Sequence, residues 1–189
     1  GVYGTKGVAS PSNTPGAREW AASWSDDHDG LWLFGGRGAD ATGNWGHIND
    51  LWRFDTSTGQ WTWVSGDEIA FRPGVYGTKG VAASANVPGA RQKAAAWIDS
   101  SGKLWLYGGT GWDAFAERSG PLTDLWKFDP RTLEWTWVAG DNVSGRPGFF
   151  GTMGQPGPSN SPGGIVDAAT WTDADDNLWL FGGQKLGGL

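Results

Sequence analysis

The residues predict an all-β chain built from repeated four-stranded antiparallel units, and three features carry that prediction. GVYGTKG at 1–7 returns identically at 74–80 and as GFFGTMG at 148–154. Short aromatic runs return with it: LWLFGG at 31–36, LWLYGG at 104–109 and LWLFGG at 178–183. Turn-forming residues bound each run, and no stretch shows a helical period.

Each unit reads as four short strands. Strand a ends near Trp24, Trp97 and Trp171, after the small pairs Ala21-Ala22, Ala94-Ala95 and Ala168-Ala169. Strand b is Leu31–Phe34, Leu104–Tyr107 and Leu178–Phe181. Strand c is NDLWRFD at 49–55 and TDLWKFD at 123–129, and strand d is QWTWVSGD at 60–67 and EWTWVAGD at 134–141. Asp-rich turns join a to b, and Asp55 to Gly59 or Asp129 to Leu133 joins c to d. The spacing divides residues 1–189 into units of 1–73, 74–147 and 148–189, the third without strands c and d.

A lone meander of this kind exposes two apolar faces, and stacking such sheets around an axis buries both. The 15 tryptophans supply the apolar area for that, and the small residues of strand a suit a crowded inner strand. The expected architecture is therefore a β-propeller with an incomplete ring of about two and a half blades, since a closed ring needs 4–8. The expectation is a piece of a longer array, or else chains that self-associate to complete a ring.

Two glycines after an apolar strand, then an aromatic strand, then a Trp, resemble the kelch repeat. The matching residues are Gly35-Gly36, Phe54 and Trp61 in the first unit and Gly108-Gly109, Phe128 and Trp135 in the second. Pro-Gly-Ala-Arg at 15–18 and 88–91 is also kelch-like. These units are longer than the usual ~50 residues, with the surplus in the d-to-a connection, and Ile165 stands where the arginine is expected. The resemblance implies a binding scaffold, extracellular or at the cell surface. Galactose-oxidase-like enzymes share the repeat, but their copper site uses a cysteine-linked tyrosine and this chain has no cysteine.

Composition narrows the partners. The net charge of −6 and scattered basic residues argue against nucleic acid. No apolar run is long enough to span a bilayer as a helix. No cofactor motif, catalytic constellation or metal-ligand spacing is legible, and His28 and His47 lie in different loops. Asp173, Asp175 and Asn177 alternate like calcium ligands, but hairpin chemistry explains them more simply.

Tryptophans at recurring positions read as blade packing. Trp20, Trp45 and Trp112 do not recur, and they are the candidate ligand-binding residues, with Asp40, Asp113 and Arg118 as polar partners. In a meander the b–c and d–a connections leave from one edge, which puts the long loops 37–48, 110–122, 65–90 and 139–164 on one rim. The recurring insert is expected to pack across neighbouring blades, and the variable b–c loops to carry specificity. The functional expectation is non-catalytic binding of a protein or glycan through this rim. The alternatives are a structural array forming a multi-blade body or filament, and an enzyme whose site lies in absent blades.

Overall fold

The computed structural model describes residues 1–185 apart from Asp29 and Arg118. Blade 1 is one antiparallel sheet of strands a (Ala22–Ser25), b (Gly30–Phe34), c (Leu51–Asp55) and d (Gln60–Ser65), hydrogen-bonded in that order. Blade 2 repeats it with Ala95–Ile98, Leu104–Tyr107, Leu125–Asp129 and Glu134–Ala139. The third repeat contributes strand a (Ala169–Thr172) and strand b (Leu178–Phe181). No helix among the described residues is long and apolar enough to cross a membrane.

The a–b hairpins share one device. Asp26 accepts the backbone N–H of Gly30 and the indole N–H of Trp32, both at 2.7 Å. Asp99 does the same for Lys103 and Trp105, and Asp173 for Asn177 and Trp179. A side chain that closes the turn and holds the first ring of strand b sets the register. Trp24 therefore faces Trp32, Trp97 faces Trp105, and Trp171 faces Trp179. Asp173 spends its oxygens on this hairpin, as the simpler reading of that turn expected.

Blades stack because each sheet carries an apolar set on both faces. Trp32 meets Phe128 at 5.7 Å and Phe34 meets Trp135 at 5.4 Å, joining blade 1 to blade 2 over the buried Leu104 and Leu106. On its other face blade 2 offers Trp97 and Tyr107 to Leu178 and Leu180 of the third repeat. The inner strands a of all three repeats lie side by side, which places them nearest the common axis. Thr170 and Thr172 donate across that seam to the carbonyls of Ala96 and Ile98 at 3.1 and 3.0 Å.

The recurring insert packs across neighbouring blades at the rim, where Phe71 covers Gly46 of the first repeat and meets Trp112 of the second, and where the Pro88 carbonyl accepts from Asn49 at 3.2 Å; it then runs down the outer edge of its own repeat's blade. Ala82–Ala83 adds a fifth strand beside Trp135 and Thr136, and Ser10 bridges to Trp61 in the first repeat. Side chains of the insert then recognise the c–d hairpin. Tyr3 donates to Asp50 at 2.6 Å, where Arg18 makes a two-pronged ion pair at 2.7 and 2.8 Å and Trp52 donates its indole N–H. Tyr76, Arg91 and Trp126 repeat this around Asp124, with the Arg91 and Asp124 side chains fully buried. Burial, then the Asp124 charge, pushes the Tyr76 phenol far above its ordinary value.

Three smaller contacts complete the recognition. Lys6 and Lys79 each donate to a carbonyl, of Gly66 and Gly140, while lying over the Trp63 and Trp137 rings at 4.3 and 4.2 Å. Asn13 and Asn86 donate to the strand-d carbonyls of Trp61 and Trp135. The near-identity of GVYGTKG between the first two copies thus has a packing cause.

Candidate functional site

The d–a and b–c connections do share a rim. Arg18–Glu19, which ends one d–a segment, pairs with Arg37–Ala39, and that strand pairs with Trp45–His47. Arg91–Gln92 pairs with Thr110–Trp112 in the second repeat, and Ile165–Val166 with Gln184–Lys185 in the third. These small sheets form a collar above the blades.

At the inner lip of the collar each repeat places one residue just before strand a. These are Trp20, Lys93 and Asp167, and all three have left-handed backbone, with φ of 57°, 58° and 54°. The paired glycines shape this lip. A Cβ on Gly36 would sit 2.7 Å from the Glu19 carbonyl oxygen, and one on Gly109 only 2.5 Å from that of Gln92. Glycine lets the b–c loop press on the segment before strand a, so that segment must turn sharply at the next residue. Left-handed backbone costs a non-glycine residue about 1–2 kcal/mol, and three bulky or charged residues bear that strain here.

Together they line a shallow cleft of about 180 Å³ with Ala21, Ala94 and Ala168. The Lys93 ammonium is 2.6 Å from the Asp167 carboxylate and 4.8 Å from the centroid of the Trp20 ring. Trp20 is 46% exposed, with the ammonium over its ring. Beside the cleft, Glu19 and Arg37 form an exposed ion pair at 3.5 Å. Burial and then the Arg37 charge hold the His47 imidazole below its ordinary pKa, against a hydrogen bond with Gln92. The arrangement offers an aromatic platform, a cation and an anion within one small opening.

The other candidates divide. Trp45 is exposed on the collar. Trp112 is half-buried and meets the Phe71 ring edge-on at 5.9 Å. Phe71 itself, missed in the sequence, is 48% exposed and covers Gly46, where any Cβ would strike its ring. Asp40 and Asp113 are not ligand partners on a surface but clamps inside their loops. Asp40, 1% exposed, accepts from Thr42, Asn44 and Ala70, and Asp113 from Phe115 and Ser144. Arg118 lies outside the described residues. Lys93 and Asp167 had a legible signal: one repeat position carries three chemically different residues within otherwise matching surroundings.

A larger cleft of about 570 Å³ opens at the opposite end, among the a–b turns, with Asp26, His28, Arg53 and Arg131 in its wall. Asp26 is committed there to its own hairpin, which leaves His28 and Asp27 as a solvent-exposed pair. Among the described residues no group of three or more metal-ligating side chains comes together.

The turn and loop aspartates predict an acid-labile fold. Burial raises the Asp40 carboxyl, but the hydrogen bonds from Thr42, Ala70 and Asn44 outweigh it and hold the pKa at about 2. Indole and amide donors hold Asp173 at about 2, and Asp26 and Asp99 are also depressed by their hydrogen bonds, against burial. A depressed folded pKa gives stability that is complete above the unfolded value, about 3.9, and is lost as pH falls through the folded value. Urea midpoints are expected to be level from about pH 6 to 5 and to fall steeply between about pH 4 and 2. A level profile down to pH 2 would refute this assignment.

No protein-family model and no curated protein sequence matches the chain. Among solved structures, 102 chains match. One of them, titled "Structure of YjhT", is a bacterial kelch-repeat propeller that superposes with a TM-score of 0.52 at 18% sequence identity. The match covers 86% of this chain and 44% of that one, so the chain spans less than half of that structure's length. With blades of antiparallel strands, paired glycines under the collar and inner strands around an axis, the fold is that of a kelch-type β-propeller.

Proposed function

We propose that the chain is part of a non-catalytic binding propeller, outside the cell or on its surface, and that it takes a carbohydrate at the axial cleft. The observation that carries this reading is the lip position 20/93/167, where the repeats supply an aromatic ring, an ammonium and a carboxylate to one opening. An indole face stacks on the apolar face of a sugar ring, and flanking charges accept and donate hydrogen bonds to its hydroxyls. The retained left-handed strain supports the same reading, because asparagine or glycine would hold that backbone more cheaply.

The test is a glycan array followed by calorimetry on the best ligand, with Trp20→Ala and Lys93→Ala beside the unaltered chain. Trp20→Ala is expected to weaken binding by at least about tenfold, the equivalent of 1.4 kcal/mol. Trp45→Ala, away from the axis, should change it little. Retained affinity in Trp20→Ala, or loss only in Trp45→Ala, would move the site to the outer collar and defeat the axial assignment.

A further inference from the structure

Phe71 bears a backbone strain that the sister repeat avoids. The segments SGDEIAFRPG at 65–74 and AGDNVSGRPG at 139–148 correspond, which sets Phe71 opposite Gly145. The main chain is alike at both: φ is 65° at Phe71 and 78° at Gly145. Each N–H donates at 2.8 Å to the matching carbonyl of its own b–c loop, that of His47 or Pro121. Glycine takes this left-handed turn freely, whereas a bulky aromatic residue there is an outlier. The turn itself does not call for a ring, and strain of this kind is retained where a side chain has a task.

That task is not filling the interior, because the ring stays half-exposed. It lies over Gly46, where a Cβ would strike it, and meets Trp112 of the next repeat edge-on. The two rings straddle the seam between the first two blades, with a complete four-stranded meander on either side. The polar groups around them are largely spent. The Ala70 N–H donates to Asp40 and the Gly74 N–H to the Asp113 carbonyl, both at 3.1 Å, and the Arg72 carbonyl accepts from Ala90 at 2.9 Å. The Arg72 guanidinium pairs with Asp67 at 3.2 Å. Glu68, exposed three residues ahead of Phe71, adds negative charge in a chain of net charge −6.

We infer that the Phe71–Trp112 shelf docks a proline-rich, basic segment of a partner protein. A sugar would set its hydroxyls against rings with few hydrogen-bonding groups beside them, which separates this surface from the axial cleft. An ordinary peptide would press its own N–H groups onto the same rings. Proline carries no N–H, and proline-rich segments dock on aromatic-lined surfaces. A polyproline helix is extended before it binds, so little ordering entropy opposes docking. Arginine or lysine beside the prolines meets Glu68. The matching place in the second repeat lacks the shelf, because Gly145 carries no ring.

Fluorescence anisotropy of labelled peptides with the 189-residue chain tests this. The probes are a run of prolines flanked by arginines, the same run flanked by glutamates, and a run of alanines flanked by arginines. The arginine–proline peptide is expected to bind at least about tenfold more tightly than the alanine peptide. It should bind about threefold more tightly than the glutamate peptide. Phe71→Gly, which copies the sister repeat, should keep the urea midpoint and lose at least about tenfold in affinity. Glu68→Lys should move the preference to the glutamate-flanked peptide, an exchange that a loss of folding would not produce. If Phe71→Gly lowers the midpoint, that exchange decides, and without it the inference falls. Full affinity in Phe71→Gly would make the ring a cover for the seam and overturn the docking role. So would equal binding of the arginine–proline peptide and either other probe, binding by none, or displacement of the peptide by methyl glucoside.

Discussion

Asp124→Asn is expected to cost the chain about 3–5 kcal/mol of folding stability, read as a lowered urea midpoint. The substitution keeps shape and removes charge. Arg91 then remains fully buried beside a neutral amide, while the Tyr76 hydroxyl and Trp126 indole lose an ionised acceptor. The cost measures a stranded cation and not the worth of the pair. A triple variant, Tyr76→Phe with Arg91→Ile and Asp124→Leu, separates the two. It strands no charge, leaving only the Trp126 indole N–H without its acceptor, so it should recover most of the lost stability. If Asp124→Asn were within about 1 kcal/mol of the unaltered chain, the node would not hold the insert to the hairpin.

Trp126→Ala is expected to cost a similar amount, about 3–5 kcal/mol, for a different reason. Its side chain is fully buried, 4.8 Å from Tyr76 and 6.4 Å from Trp135 between ring centroids. Truncation leaves a cavity that the rigid sheet collapses only in part. Trp179→Ala is the comparison, since that ring is 48% exposed and its loss should change stability by less than about 1 kcal/mol. Chemical denaturation of both variants checks the contrast, and equal costs would show that the third repeat is packed as tightly as the second. Because Trp126 donates to Asp124, the two large effects share a partner and are expected to combine to less than their sum.

Much of this architecture was legible because packing demands recur with the repeat. The spacing of Trp24 from Trp32, with an aspartate-led turn between them, already implied a hairpin of fixed register. The paired glycines were legible only as a mark of the repeat, and the structure supplies their reason, since Gly36 presses on Glu19 and Ala21. The shared rim of the b–c and d–a connections followed from strand order alone, and Arg18–Glu19 does pair with Arg37–Ala39. The candidate site was less legible. Asp40 and Asp113 looked like polar residues in variable loops, and only the fold shows their oxygens spent on backbone amides. Phe71 sat in a long connection with no periodic neighbour, and it became visible only once that connection was laid over Gly46.

Local chemistry therefore determined which segments pair and how often the unit recurs, because a strand's register depends on near neighbours and on the turn between them. The tertiary structure alone decided where the insert goes and which unlike residues meet. Tyr76 and Asp124, or Trp20, Lys93 and Asp167, are far apart along the chain, and nothing in their immediate surroundings names a partner. Tyr76 reaches Asp124 only when the insert folds back along its own blade, and Trp20, Lys93 and Asp167 meet only when sheets crowd around an axis, a property of the assembled blades that no single repeat contains.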